Sequence, residues 1–304
     1  DESYDKEKDP YKRFEMINLW YEESYWSHSG GRVSGPEKVV KGTIDALEKE
    51  GIDFCINRDD YTHNFLLQYQ HEIAHKKHEQ LEHESCVIGP QVWPFDNYGN
   101  FLKENTDFYK KIITPSNWVK DLFTNKLGFP SEKVAVWAAP IKIPEVVDDV
   151  SIDCLIYYKN RPLEHLEKVK SFLSTKGLTF NELRYGNYSQ DEFKNNLSKV
   201  RFCIIIDNTE SQGIAIQEMM SLGKPLLVWD VKLWDYMGQD YIVPSTSVPY
   251  WSEHCGEKFY SFNEIEFTFD KFYDKIDTYD SKRLFDEELS YNVSVKKLLS
   301  LFGE

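Results

Sequence analysis

The sequence predicts an α/β protein made of two doubly wound domains that face each other across a cleft. Short apolar runs of strand character alternate with amphipathic helical segments, and this alternation occurs in two successive blocks. The 304 residues are long for a single domain and suit two domains of about 150 residues each. We therefore predict a first domain over residues 1–145 and a second over residues 146–283.

The composition indicates a globular protein and argues against several classes of partner. Hydrophobic residues form 41% of the chain and aromatic residues 15%, which is typical of a packed interior. The formal charge of −15 argues against nucleic acid, whose phosphate backbone requires clustered Lys and Arg. No apolar run is long enough to predict a transmembrane segment. The 5 cysteines are scattered and form no Cys-x-x-Cys pair, which predicts reduced thiols in a cytoplasmic protein.

The first block contains a strand, a glycine-rich loop and a helix, followed by further short strands. The loop 27–36 leads into an amphipathic helix over 37–50, and the charged, histidine-rich stretch 65–84 predicts a surface helix. The segment 141–149 is predicted to be the linker. The remaining predicted elements of this block are strands at 14–20, 52–56, 86–90, 112–116 and 134–137 and a helix at 118–127.

The second block repeats the alternation more regularly. Its predicted strands and helices, in chain order, are 153–158, 163–176, 179–184, 190–199, 202–206, a helix ending at Gly223, 226–229, and a last helix at about 284–302. Strand, polar turn, helix and strand around residue 210 form a βαβ unit, and ligands of such sheets bind at the carboxyl ends of the strands.

Two glutamates of this unit are the most informative residues. Glu210 follows the buried strand, and Glu218 lies about two turns along the next helix, close to the same face. Gly213 lies between them, where a ligand can approach the backbone and where the helix start favours an anion. Two such carboxylates suit a polyhydroxyl ligand, whereas the alternative interpretation is that both are solvated helix charges.

The order of carboxylate, glycine, apolar turn, carboxylate, Gly-Lys-Pro and strand resembles the motif of retaining glycosyltransferases of the GT-B fold, the family-4 type also called glycosyl transferases group 1. The resemblance implies two Rossmann-like domains and a last helix, 284–304, that crosses back to the first. It also implies that Glu210 contacts the donor sugar and Glu218 the ribose of the nucleotide. The intervening segment would bind the donor and its distal phosphate, through Ser211, Gln212, Gly213, Ile214 and Ala215. Met219 and Met220 replace the small residues usual in that family.

Further candidates come from the loops that should surround the same cleft. Lys159 and Arg161 follow the first strand of the second domain, where cations would meet the diphosphate of a nucleotide sugar. Alternatively, they are ordinary loop charges. By the resemblance, Gly31 approaches the donor phosphates from the first domain. Tyr188 borders the nucleobase by the same resemblance, or else packs its loop against its own helix.

The histidines of the stretch 65–84 pose a choice between a zinc site and a solvated helix face. His71, His75 and His78 share one face at helical spacing, but lysines and glutamates surround them and no ligand set is complete. We expect a solvated face, with one of these histidines or His63 facing the cleft, as the resemblance suggests. The acidic doublets are simple loop pairs, so we expect no metal and no cofactor.

The resemblance, taken with the composition, implies a cytoplasmic glycosyltransferase of glycan biosynthesis, either a hexosyl- or a pentosyltransferase. The resemblance implies that it moves a sugar from a nucleotide-sugar donor to a glycan or other hydroxyl acceptor, with retention and without a metal. Two alternatives remain open at this point: a nucleotide-sugar epimerase of the same fold, and a non-catalytic module that binds sugar nucleotides.

Overall fold

The computed structural model describes residues 16–23, 33–59, 61–69, 76–82, 85–235 and 242–303. Two parallel sheets follow one another along the chain, with no helix or strand between residues 137 and 151. Within the described ranges, no helix is both long and apolar enough to cross a bilayer.

The first sheet has the strand order β2-β1-β3-β4-β5-β6, and all its neighbouring strands are parallel. Its central strands are buried, because helices and loops cover both faces of a parallel sheet. The strands are β1 (Ile17–Trp20), β2 (Phe54–Ile56), β3 (His63–Leu66), β4 (Cys86–Ile88), β5 (Lys111–Thr114) and β6 (Val134–Val136).

The start of the surface helix predicted over 65–84 is wrong, because residues 65 and 66 belong to β3. This strand lies between β1 and β4, and Asn64, Phe65 and Leu66 are fully buried. Asn64 gives the segment its polar appearance, yet its Oδ1 accepts hydrogen bonds from Asn18 Nδ2 at 2.8 Å and Trp20 Nε1 at 2.9 Å. A buried amide with these partners is compatible with a central strand.

The helices of the first half whose bounds the structure describes are α1 (Gly35–Lys49), α2 (Asn97–Glu104) and α3 (Asn117–Asp121), which continues as a π-helical turn over Leu122–Lys126. α1 begins where the sequence favours it, because the Ser34 side chain accepts a hydrogen bond from Glu37 N and a proline occupies the first turn. Gly42 lets α1 approach the backbone at Pro140, since an added Cβ would lie 1.9 Å from Pro140 O.

The second sheet has the order β13-β10-β9-β7-β8 and is also parallel. Its strands are β7 (Ile152–Tyr158), β8 (Phe180–Arg184), β9 (Val200–Ile206), β10 (Leu226–Trp229) and β13 (Gly256–Phe259), while β11 (Leu233–Trp234) and β12 (Val243–Pro244) form a separate antiparallel pair. Its helices are α4 (Leu163–Thr175), α5 (Gln190–Lys199), α6 (Ile214–Ser221) and α7 (Ile265–Asp274). β9, α6 and β10 form the βαβ unit that contains the two glutamates.

The end of the chain returns to the first sheet. The single helix expected at about 284–302 is two helices, α8 (Ser281–Glu288) and α9 (Tyr291–Gly303). α9 packs its apolar face, including Leu298 and Leu299, into the same core as β1 and α1. Trp137 Nε1 donates a hydrogen bond to Ser294 O at 2.8 Å, which fixes this helix to the end of the first half.

Candidate functional site

A cleft of about 950 Å³ lies between the two sheets, at the carboxyl ends of strands from both. Most of its lining residues come from the start of α1, the segments after β4 and β5, and the segments after β7, β8 and β9. They are 33–36, Lys38, Val39, 90–95, residues within 114–123, Tyr157, Lys159, residues within 185–190, 209–216 and Trp234.

Lys159 and Glu210 form an ion pair in this cleft. Lys159 directly follows β7 and Glu210 follows β9, and the two strands are neighbours in the sheet. Their side chains are only 14% and 13% exposed, and Lys159 Nζ lies 4.3 Å from the centroid of the Tyr185 ring. Burial acts most strongly and lowers the pKa of Lys159, but its acidic neighbours, Glu210 first among them, together outweigh burial and the pKa is raised. Lys159 is therefore a cation at neutral pH.

Asp207 is a buried carboxyl beside this pair that the sequence analysis did not identify. It is the first residue after β9, is fully buried, and accepts a hydrogen bond from Asn208 N through Oδ1 at 2.7 Å. Burial, followed by the neighbouring Glu210 carboxylate, raises the pKa of Asp207 to about 9. Asp207 is thus protonated and neutral at pH 7, so that Lys159 and Glu210 are the charged partners here.

The start of α6 presents backbone N–H groups to the cleft. Gly213 precedes the helix with φ of 76°, a left-handed conformation that favours glycine, and no side chain caps the helix. The first N–H groups of a helix have no partner within it, so those following Gly213 can bind an anion. Ser211, Ile214 and Ala215 line the cleft beside them.

Glu218 is held by protein groups and does not itself line the cleft. Its side chain is 5% exposed, and its carboxylate accepts hydrogen bonds from Lys38 Nζ at 2.8 and 2.9 Å. Gln190 Nε2 donates a third, at 2.9 Å. Lys38 and Gln190 do line the cleft, so that Glu218 lies directly behind them.

Lys38 is the second cation of the cleft and was missed by the sequence analysis. Among the described lining residues, Lys38 and Lys159 are the basic ones. A lysine near the start of a helix opposes the helix dipole, and this unfavourable position was a sequence signal for a functional role. Lys38 belongs to α1 and Glu218 to α6, so their ion pair joins the two halves of the protein.

Arg161 does not reach the cleft, in contrast to the expectation that it would meet the donor phosphates. Its Nη2 donates to the carbonyl oxygens of Trp229 at 3.1 Å and Asp230 at 3.4 Å, and its guanidinium lies 5.4 Å from the Trp229 ring. These carbonyl groups at the end of β10 hold the guanidinium away from the cleft.

The side chain of Gln212 also forms hydrogen bonds with the protein backbone. Its Nε2 donates to Ala139 O at 2.8 Å and its Oε1 accepts from Ala139 N at 3.2 Å, which ties the start of α6 to the segment after β6. Tyr188 lines the cleft, and its ring also stacks on Phe193 of α5 at 5.5 Å, as expected for a tyrosine that packs its loop against its own helix. Its contact with a nucleobase stays a prediction. Gly31 lies outside the described residues.

None of the histidines that the structure describes lines the cleft. His78 is buried, in contrast to the expected solvated face, because Nδ1 meets the Tyr69 hydroxyl at 3.1 Å and Nε2 meets Phe108 O. His63 begins β3, at the end of the sheet opposite the cleft, where its ring packs on Phe302. His71, His75 and His83 are outside the described residues, and those described contain no metal-binding cluster of His, Cys, Asp or Glu.

Comparison with known proteins gives no relative by sequence but several by structure. No protein-family model matches the chain, and no curated protein matches it. A structure of a point mutant of S. aureus TarM, in complex with fondaparinux, α-GlcNAc-glycerol and UDP, aligns over 86% of this chain with a TM-score of 0.55 and 14% identity. This chain covers 58% of that TarM chain.

Two further solved structures match over nearly their whole length. The lipopolysaccharide outer core galactosyltransferase WaaB, in its apo form, aligns with 95% of this chain and 98% of its own, at a TM-score of 0.55 and 10% identity. The catalytic domain of starch synthase IV from Arabidopsis thaliana, bound to ADP and acarbose, gives the same coverages, a TM-score of 0.54 and 10% identity. This chain has the GT-B fold.

The GT-B fold predicted from the sequence is confirmed by these matches, and the structural neighbours are glycosyltransferases. The narrower family-4 resemblance stays a prediction, since structural matches at sequence identities of 10–14% establish only the shared fold. In GT-B terms, the cleft described above lies between the two Rossmann-like domains.

Proposed function

We propose that this GT-B protein is a glycosyltransferase that uses a nucleotide-diphosphate sugar as its donor. The observation that carries this proposal is the Lys159–Glu210 pair beside the uncapped start of α6, with Lys38 on the same cleft. Two cations and a row of backbone N–H groups suit a diphosphate, and a neighbouring carboxylate suits a sugar with several hydroxyl groups.

The diphosphate would lie against the start of α6. Its distal phosphate accepts hydrogen bonds from the N–H groups after Gly213, while Lys159 donates to it from the end of β7. In transfer, the bond between the anomeric carbon and the phosphate oxygen breaks, and its electron pair leaves with the phosphate. The acceptor hydroxyl oxygen bonds to that carbon and its proton passes to the departing phosphate. Lys159 stabilises the negative charge that develops on that phosphate.

Glu210 would hold the donor sugar. Its carboxylate accepts hydrogen bonds from sugar hydroxyls once the phosphate draws Lys159 away from it. Trp118 supports the position of Glu210 from the other domain, because its Nε1 donates to Glu210 O at 2.7 Å.

Glu218 would bind the ribose after an exchange of partners. In the structure Lys38 Nζ donates hydrogen bonds to the Glu218 carboxylate, and the ribose hydroxyls can replace it as donors. Lys38 then pairs with the diphosphate in the same cleft, so that its charge remains neutralised. Retention of configuration and independence from metal are part of the proposal and rest on the resemblance of this segment to the family-4 type.

The test is donor turnover in wild-type protein and in Glu210→Gln, after calorimetry has identified which of uridine, guanosine, adenosine and cytidine diphosphates binds. We expect Glu210→Gln to lower transfer about 100-fold while the nucleotide affinity changes little, because the amide cannot accept sugar hydroxyls equally and no longer pairs with Lys159. Glu266→Gln is the matched control, as that side chain is 76% exposed on α7.

Equal turnover in Glu210→Gln and wild type would refute the assigned role of Glu210. Absence of binding by all four nucleotides would refute the proposed function itself. A product analysed by proton NMR shows whether the anomeric configuration is retained, and turnover in the presence of EDTA shows whether a metal is required.

A further inference from the structure

We propose that the acceptor is a neutral saccharide and that its sugar ring stacks on Trp93. This inference rests on the proposed glycosyl transfer and narrows the class of acceptor from any hydroxyl compound to an uncharged glycan.

A row of aromatic rings lines one wall of the cleft and ends at the proposed reaction centre. The centroid of Trp93 lies 5.3 Å from that of Phe95, Phe95 lies 6.0 Å from Trp234, and Trp234 lies 5.8 Å from Trp118. Trp118 donates its hydrogen bond to Glu210 O at 2.7 Å, so the row reaches the residue that would hold the donor sugar. Trp93, at the other end, is 42% exposed.

Among the residues that the structure describes, the wall that carries these rings has no charged side chain. Of those that line the cleft between positions 90 and 123, none is Asp, Glu, Lys or Arg. The two basic residues among the described lining residues, Lys38 and Lys159, lie instead beside Glu218 and Glu210. A charged acceptor group that loses water against this wall would gain no partner, which is costly. The wall therefore favours an acceptor without charge.

A sugar matches both kinds of group that the wall presents. One face of a pyranose ring consists of C–H groups, which are attracted to the electron-rich face of an indole, while its rim carries hydroxyls. Ser211 lines the same cleft with a hydroxyl group that can meet such a rim. A wholly apolar acceptor would cover this hydroxyl without bonding to it. The aromatic row with a neutral polar neighbour thus points to a saccharide.

The experiment measures binding of saccharides by saturation-transfer NMR, in the presence of the nucleoside diphosphate that calorimetry has identified. The probes are maltotriose, cellotriose and triacetylchitotriose, with a heparin tetrasaccharide as an anionic glycan and 2-phenylethanol as an apolar alcohol. We expect a neutral trisaccharide to bind and Trp93→Ala to weaken it roughly tenfold. Phe267→Ala is the control, since Phe267 is another exposed aromatic residue, 78% exposed on α7.

Four outcomes would overturn the inference: binding of the heparin tetrasaccharide or of 2-phenylethanol in preference to the trisaccharides, equal trisaccharide binding by wild type and Trp93→Ala, an equal loss in Phe267→Ala, or no trisaccharide binding by protein that binds the nucleotide. Circular dichroism of each variant confirms that it is folded. Trisaccharide binding without binding of any nucleoside diphosphate would refute the transferase assignment and the acceptor role, while it would support sugar stacking on Trp93.

Discussion

At the residue scale, the cleft depends on charges that are arranged around the end of β9. Lys159 and Glu210 form a nearly buried pair, whereas Asp207 beside them is neutral because burial raises its pKa to about 9. If Asp207 were also ionised, two carboxylates would share one lysine in a site from which water is largely excluded. The protonated state of Asp207 thus leaves Glu210 as the carboxylate that a phosphate must replace at Lys159.

Replacement of Asp207 by Asn should change how stability depends on pH. The unfolded chain loses the Asp207 proton near pH 4 and the folded protein retains it to about pH 9, so the free energy of unfolding falls as the pH rises through this window. The Asn side chain of Asp207→Asn does not titrate, so we expect the free energy of unfolding of this variant to fall less steeply than that of wild type. The two slopes should differ by up to about 1.4 kcal/mol per pH unit. Urea denaturation at pH 5 to 9 measures this, with the exposed Asp53→Asn as control. Parallel curves for wild type and Asp207→Asn would contradict the account.

At the scale of the elements, α1 and α6 both begin at the cleft, one from each domain. α6 contributes N–H groups and α1 contributes Lys38, so the position of α1 determines how far its lysine reaches. Gly42 sets that position, because the helix backbone lies against Pro140 there.

Gly42→Ala should therefore destabilise the protein. The added Cβ would lie 1.9 Å from Pro140 O, which is backbone and cannot move aside as a side chain can. We expect a loss of roughly 1–3 kcal/mol in the free energy of unfolding. Gly35→Ala in the same helix is the control, since no atom lies within 4 Å of its added Cβ. Equal stabilities of the two variants would show that α1 can shift at no cost.

Much of the architecture was predictable because its physical cause is local. The predicted helix at 190–199 coincides with α5, and the strand and helix around Glu210 and Gly213 lie where apolar runs and glycine place them. β3 was not predictable in this way, since its Asn64 is buried through partners from β1. The partner of Glu218 was likewise hidden, because Lys38 is distant in the sequence and meets it only when the domains assemble.

At the scale of the whole molecule, polar contacts between described residues join the two domains around the cleft. Tyr250 Oη donates to Pro115 O at 2.8 Å, Trp118 donates to Glu210 O, and Lys38 pairs with Glu218. The last of these contacts uses the groups that the proposed donor needs. The donor ribose and Lys38 therefore compete for the Glu218 carboxylate. Both find a partner if Lys38 moves to the diphosphate when the donor binds.

The most direct measurement is calorimetry of Lys38→Met with the nucleoside diphosphate that binds and with the corresponding nucleoside. Loss of a charge-assisted contact should weaken binding of the diphosphate about 10-fold or more. Binding of the nucleoside should not weaken, because its ribose no longer competes with Lys38 for Glu218. Lys41→Met, one turn further along α1 and 56% exposed, should behave as wild type. An unchanged diphosphate affinity, or an equal loss for nucleoside and diphosphate, would contradict a phosphate site formed by Lys38, Lys159 and the start of α6.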